Sequence, residues 1–260
     1  MVELMHPLNL VTLEETESTN SDAKDYAAQG GEFFTIFWAK RQTAGRGRFS
    51  RKWVSNDGNL FWSILLPISD DISVLSELSL VAGVAVKRTI SKYFDIEEKS
   101  IQIKWPNDIL IDSKKVSGTL IETSVQGGWA VVGIGINVNK RPDLLEGQDE
   151  AVAVYPPTCI KDEGGEADVE GICKELSNNF YVLYRSWCDV GFELAMRDEY
   201  VDALWNIGKI ISVSLNSQKT NVITGVNNGI DHAGCLLVET SYKEVTVVSA
   251  ADVLFGAVER

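Results

Sequence analysis

The sequence is poor in the residues that build metal and nucleophile sites. It holds two histidines, His6 and His232, in 260 residues. That scarcity argues against His-based metal centres and against Ser–His or Cys–His dyads. The four cysteines, Cys159, Cys173, Cys188 and Cys235, never stand two residues apart, so no zinc ribbon is encoded. No apolar run reaches the ~18 residues needed to cross a bilayer. The start, MVELMHPLNL, has no basic stretch leading into an apolar one, so no secretory signal is read. Reduced thiols, a cytoplasmic location and no membrane partner are therefore expected. Repeats and low-complexity tracts are absent. Positive charge is scarce as well: 24 Lys and Arg face 37 Asp and Glu, for a net charge of −13. Such an acidic chain is a poor nonspecific binder of nucleic acid, and no DNA partner is expected.

What is present is ordinary globular composition, 45% hydrophobic and 23% charged, which excludes a disordered or collagen-like chain. The charge is uneven. Residues 1–140 hold 15 basic and 17 acidic side chains, whereas residues 141–260 hold 9 and 20. Six of the cations fall within 40–52 (KRQTAGRGRFSRK), with no acid among them. A charge run alone usually marks a solvated face.

Periodicity predicts a strand over 6–14, then a helix over 19–29 with Ser18, Thr19 or Asn20 as N-cap and Gly30-Gly31 as its stop. FFTIFWA (33–39) and NLFWSILL (59–66) read as strands flanking a loop over 40–57. Apolar residues at helical spacing, from Leu75 through Leu78, Val81, Ala82, Ala85 and Val86 to Ile90, predict a core helix over 72–94. Strands follow at 101–105, 109–111, 115–125 and 128–138, with turns at Asp112-Ser113 and Gln126-Gly127-Gly128. Residues 139–170 read as a long acidic loop, and 171–206 as two helices parted by Gly191. From 209 onward the short β-type runs predict a small antiparallel barrel, with a boundary near 207.

Three local groups carry chemistry. Gly45-Arg46-Gly47-Arg48 followed by Arg51-Lys52-Trp53 combines small residues, whose N–H groups can converge on an anion, with guanidiniums that fork onto phosphate. It has neither the Walker A nor the Rossmann spacing. Trp53 reads equally as a base-stacking ring or as a core tryptophan opening a strand. In KWPND (104–108) Pro106 forces a bend that projects Asn107 and Asp108, with Lys114 and Lys115 expected in the next turn and Gly118 following. Asp108 there could hold Mg²⁺, orient an amine, or close an Asx turn. In GIGIN (133–137) Gly133 and Gly135 share one strand face, a pattern that suggests close approach by a ligand or by another segment.

In chain order these segments are ESTN (17–20), QTAGRGRFSRKW (42–53), GNLFWSILL (58–66), KWPNDI (104–109), KKVSGTLIE (114–122) and GIGINV (133–138). Together they resemble the catalytic region of biotin protein ligases, from about residue 8 to the C-terminus. The resemblance implies an α+β fold with a mixed, largely antiparallel sheet, related to class II aminoacyl-tRNA synthetases, over 1–207. It also implies a small SH3-like β-barrel over 208–260. It implies that biotin and ATP, with Mg²⁺, form biotinyl-5′-AMP, and that biotin then passes to a lysine of the biotin carboxyl carrier domain of acetyl-CoA carboxylase or a related carboxylase. Lipoate–protein ligases, and a biotin-binding regulator that does not bind DNA, are the alternatives. Relatives include monomers and homodimers.

Position by position, the resemblance implies that Ser18, Thr19, Asn20 and Gln42 line the biotin head and that Gly45 and Arg46 lie along its tail. Gly118, Gly133 and Gly135 would let the bicyclic ring lie flat on the sheet. Arg48 and Arg51 would grip phosphate, and Lys115 would bridge the biotin carboxylate and the α-phosphate. Trp53, Asn107 and Asn137 would help place the nucleotide, and Asp108 would meet the metal or the amine. Lys115, Arg48 and Asp108 are thus the candidate catalytic residues. The chain departs from the family pattern at Ser50, often Gly, and at Thr119, often Ile. Seventeen residues precede Ser18, so the form without an N-terminal DNA-binding domain is expected.

Overall fold

The computed structural model describes residues 7–48, 51–68, 74–94, 99–143, 156–216, 220–241, 243–249 and 252–254. His6 and Ser50 lie outside them, as do residues 144–155 of the predicted acidic loop. In chain order the elements are β1 (Asn9–Thr16), α1 (Thr19–Ala28), β2 (Thr35–Gln42), β3 (Leu60–Pro67), α2 (Val74–Ser91), β4 (Ile101–Lys104), β5 (Asp108–Ile111), β6 (Lys114–Ser124), β7 (Trp129–Ile136), α3 (Val169–Ala195) and α4 (Arg197–Asp202). Five strands close the chain: β8 (Ile210–Ser214), β9 (Val222–Ile230), β10 (Leu236–Glu239), β11 (Val245–Val248) and β12 (Asp252–Leu254).

The larger sheet has seven strands in the order β1-β2-β3-β7-β6-β5-β4. Only β1 and β2 pair in parallel, joined by α1 as the crossover; the other neighbours are antiparallel. β3 lies deep in this sheet, and every residue from Leu60 to Leu66 is buried. That continuous apolar run follows from cover on both faces. On one face α1 packs Ala23 against Phe37, Leu65 and Val131. On the other, α2 and α3 pack Val81, Ala85, Leu176 and Phe180 against Trp62, Ile64, Ile134 and Ile136. Burying each Leu, Ile or Phe of this kind contributes about 1.5–3 kcal/mol.

Differences from the sequence reading are local. β2 continues to Gln42, because β1 continues to Thr16 opposite it and the two edges share a ladder. Lys114 and Lys115 do not lie in a turn. The Asp112-Ser113 turn takes φ of 48° and 64°, so β6 starts immediately after it. The expected break at Gly191 is present: its φ of 77° and ψ of 167° interrupt the helical geometry inside α3.

The five C-terminal strands form a separate antiparallel sheet, ordered β11-β10-β9-β8-β12. It is bound tightly to the larger one. Residues 203–205 run along the β4 edge, with Ile103 N donating to Ala203 O and Trp205 N donating to Ile103 O, both at 2.8 Å. This seals an otherwise open edge. Trp105 Nε1 donates to Gly234 O at 3.0 Å. One apolar core runs from Trp62 and Ile134 through Trp105 and Leu204 to Ile211, Val213, Leu236 and Val238. No helix among the described residues is long and apolar enough to cross a membrane.

Candidate active site

The N-terminus of α1 sits over the face of β3 and β7 that carries Gly133. Ser18 is the N-cap by backbone geometry, its carbonyl accepting from Ser21 N at 2.9 Å, while its side chain makes no cap bond. Ser18, Thr19 and Asn20 are all buried. Thr19 N donates to Gln42 Oε1 at 3.1 Å. Thr19 Oγ1 meets Ser63 Oγ at 2.7 Å, and Ser63 Oγ donates to Asn20 Oδ1 at 2.7 Å. Asn20 Nδ2 donates to Glu122 Oε2 at 2.9 Å and to Leu120 O at 3.4 Å. Gln42 Nε2 continues the chain to Ser55 Oγ at 3.1 Å. Three strands and one helix are thus tied by an unbroken polar path.

The basic loop folds back on this path. Gly47 N donates to Arg51 O at 2.7 Å, Arg51 N to Arg48 O at 3.2 Å, and Trp53 N to Gly45 O at 3.0 Å. Gly45 has to be glycine: a β-carbon there would lie 2.6 Å from both Gln42 Nε2 and Ser55 Oγ. Arg46 turns toward α1 and β6, with NH1 donating to Ser21 Oγ at 3.0 Å and NH2 pairing with Glu122 Oε2 at 3.3 Å. Glu122 also takes Lys24 Nζ at 2.5 Å. Burial alone would raise the Glu122 carboxyl; Lys24, Asn20 and Arg46 outweigh it and hold the group below its ordinary range.

The three glycines do share a face, since Gly118 pairs with Gly135 across β6 and β7. The space above them is filled by the chain itself. A β-carbon on Gly133 would lie 1.8 Å from Asn20 Oδ1, and one on Gly135 would lie 2.5 Å from the Trp53 ring. Above Gly118 the nearest atoms belong to Trp53 and Lys115, at 3.1 and 3.2 Å. Trp53 therefore rests on the glycine platform, with Lys115 Nζ 5.9 Å from its ring centre. Its Nε1 is buried and has no hydrogen-bond partner, as is true of Asn137 Oδ1. Asn137 Nδ2 donates to Thr158 O at 3.0 Å.

The bend at Trp105–Pro106, a cis peptide, returns the chain so that Lys104 and Asp108 face each other across the β4–β5 hairpin. Asn107 is buried within that bend. Asp108 Oδ1 lies 2.7 Å from Lys115 Nζ and Oδ2 lies 3.2 Å from Lys104 Nζ. Burial pushes the Asp108 carboxyl up, but the two ammonium groups dominate and hold it well below the usual carboxylate range. Lys115 is fixed through its backbone too: its N donates to Pro156 O and its O accepts from Thr158 N, both at 2.8 Å. Among the described residues no group of three or more His, Cys, Asp or Glu is placed to hold a metal. With both Asp108 oxygens facing ammonium groups, the donor set does not fit a protein-held Mg²⁺.

Sequence reading missed several residues of this arrangement. Ser63 is the only polar residue in LFWSILL, an anomaly that marked it. Glu122 ends the KKVSGTLIE string with no role readable there, and Glu163 gave no local signal. Glu163 Oε1 accepts from Lys114 Nζ at 2.8 Å and from Thr158 Oγ1 at 2.6 Å, clamping the strap beside Lys115. Asn59 Oδ1 accepts from the backbone N–H groups of Val138, Asn139 and Lys140, at 2.9, 3.1 and 3.1 Å, and so anchors the segment after Asn137.

Comparison with known proteins identifies the family of the chain. Residues 15–139 match the Biotin/lipoate A/B protein ligase family. The chain is 31% identical over 255 residues to the bifunctional ligase/repressor BirA of Bacillus subtilis, an alignment covering 95% of this chain and 74% of that protein. It is 31% identical over 251 residues to the biotin–[acetyl-CoA-carboxylase] ligase of Paracoccus denitrificans, covering 94% of this chain and 99% of that one. The biotin protein ligase from Aquifex aeolicus in complex with biotin and ATP superposes with a TM-score of 0.78 at 28% identity, covering 94% and 97% of the two chains. The extent of these matches, spanning both sheets, shows that the chain belongs to the biotin protein ligase family.

Proposed function

We propose that the protein activates biotin with ATP to biotinyl-5′-AMP and transfers the biotin to a specific lysine of a biotin carboxyl carrier domain. The single observation that carries this reading is the Lys104–Asp108–Lys115 group beside the glycine platform. A carboxylate attacking an α-phosphate brings two anions together, at a cost of about 4 kcal/mol per charge pair at 4 Å and an effective dielectric near 20. Lys115, on the open side of Asp108, offers the cation that offsets this repulsion, and Arg48 and Arg51 add theirs from the loop. Asp108 holds Lys115 in place and, in the second step, offers the incoming amine a carboxylate to orient against. Thr19 and Gln42 supply polar groups for the ureido head of biotin. The unpartnered Trp53 Nε1 and Asn137 Oδ1 are a donor and an acceptor left for ligand. Trp53 moves off the platform as the ring enters. The C-terminal strands act as an SH3-like domain that steadies the β4 edge. The reaction runs in the cytoplasm on the carrier domain of acetyl-CoA carboxylase or a related enzyme.

The test is incubation with biotin, MgATP and a carrier domain, read by intact mass. A gain of one biotin on the carrier is expected. A gain with lipoate but not with biotin would establish the lipoate branch instead, and adenylate without transfer would point to a biotin-sensing regulator.

A further inference from the structure

We propose that Glu122, which faces no reacting atom, sets the direction of the hydrogen bonds that run from Asn20 through Ser63 to Thr19 and thereby makes Thr19 Oγ1 an obligate acceptor for a ligand N–H. The proposal rests on the reading of Thr19 and Gln42 as the wall that meets the ureido ring.

Proton counting along the chain carries it. An ionised Glu122 can only accept. It takes Asn20 Nδ2 at 2.9 Å, Lys24 Nζ at 2.5 Å and Arg46 NH2 at 3.3 Å. The second acceptor facing the same Asn20 nitrogen is Leu120 O, at 3.4 Å. A flipped amide would turn its oxygen toward two acceptors, so the flip is excluded. Asn20 Oδ1 therefore faces Ser63, and Ser63 spends its one proton on it at 2.7 Å. At the 2.7 Å contact between Thr19 Oγ1 and Ser63 Oγ only Thr19 then has a proton to give. Its longer contact, 3.5 Å to Gln42 Oε1, cannot compete. Thr19 Oγ1 is left with lone pairs alone. Next to it, Gln42 Oε1 accepts Thr19 N–H at 3.1 Å, and Gln42 Nε2 has one N–H on Ser55 Oγ at 3.1 Å and one to spare. An acceptor beside a donor complements the N–H and C=O edge of a cyclic urea.

The close approach of Asn20 to β7 supports the design. Its Oδ1 lies where a β-carbon on Gly133 would be only 1.8 Å away. Gly133 thus leaves room for the amide that carries the polarity signal from Glu122 to Ser63.

The experiment measures affinity for biotin and for its two cyclic carbamate analogues, each with one ureido N–H replaced by a ring oxygen. The proteins compared are the parent, Glu122→Gln, Glu122→Asp and Ser63→Ala. For the parent, the analogue lacking the N–H toward Thr19 sets oxygen against an obligate acceptor. It should bind about ten- to a hundredfold more weakly than biotin. In Ser63→Ala the Thr19 proton is released and can turn to the ring oxygen, so the ratio should fall to within about threefold. Glu122→Gln should behave likewise, because its amide can donate as well as accept. Glu122→Asp keeps an acceptor-only carboxylate and should keep the parent's ratio even where both affinities drop. A purely structural Glu122 would weaken both ligands equally, and an unchanged ratio in Ser63→Ala and Glu122→Gln overturns the proposal. A parent that binds the carbamates and biotin alike overturns it too. A parent that binds none of them, and makes no adenylate, overturns the ligase reading and this inference with it.

Discussion

Replacing Asp108 by asparagine should cost about 3 kcal/mol of stability at neutral pH, most of it owed to Lys104. The carboxylate stands 2.7 Å from Lys115 Nζ and 3.2 Å from Lys104 Nζ. At an effective dielectric near 20 these contacts are worth roughly 6 and 5 kcal/mol in gross attraction, before desolvation and the repulsion between the two cations. The lysines differ in what they can do once Asp108 is neutral. Lys115 keeps 30% of its side chain exposed and can swing into water, whereas Lys104 keeps 9% and is trapped. Removing one partner of a buried ion pair costs about 3–5 kcal/mol, and the lower figure fits a pair in which one ammonium, that of Lys104, stays buried. Urea unfolding of parent and Asp108→Asn at pH 7 measures the loss through the midpoint. Adding Lys104→Met to the variant should return about half of it, because the buried ammonium that faced Asp108 is then removed as well. The acid limb gives a second reading. The folded carboxyl is held well below the unfolded value, so its contribution is complete above about pH 4 and is lost as pH falls further. Between pH 4 and 3 the parent should therefore lose about 1 kcal/mol more than the variant. A variant within ~0.5 kcal/mol of the parent at pH 7, with the same acid limb, would refute this account of the site.

Gly133→Ala places a β-carbon where Asn20 Oδ1 stands; biotin affinity by calorimetry should fall at least about tenfold, with a destabilisation of roughly 1–3 kcal/mol. Thr119→Val should be neutral or raise stability by about 1 kcal/mol in thermal melts, because Thr119 Oγ1 is buried without a partner; a loss of stability would show that the hydroxyl is bonded. Lys115→Ala should fold normally, since the side chain is 30% exposed, yet lose most pyrophosphate release; release at the parent's rate would remove Lys115 from the reaction. Arg48→Gly should still form adenylate but label bystander proteins, because one lost charge-assisted phosphate contact speeds escape by about ten- to a hundredfold; labelling no higher than the parent's, per adenylate formed, would show that Arg48 is not the latch.

Much of this protein was readable before its structure, and the unreadable part has a common character. Thr19–Ala28, Leu60–Pro67 and the β5–β6–β7 meander follow from periodicity and turn residues, which act over a few positions. The site motifs were equally visible, because Gly45, Asp108, Lys115 and Gly133 lie in short, unusual strings. Ser63 could have been found as the one polar residue in an apolar strand. Glu122 ends the KKVSGTLIE string, but its role could not be read there, because the Asn20 it orients lies 102 residues away. Glu163 reaches Lys114 across 49 residues for the same reason.

The sequence by itself determined the elements, the position of the cationic loop and the family resemblance, since each depends on neighbouring residues or their order. Only the tertiary structure decided that Trp53 and Asn20 cover the glycine face, and that Asp108 is shared by two lysines rather than open to a metal. It alone also revealed that the polar groups around Thr19 form one chain ending at Glu122. Hydrogen bonds and ion pairs depend on distances of about 3 Å between atoms, and chain order does not encode which distant residues packing will bring that close.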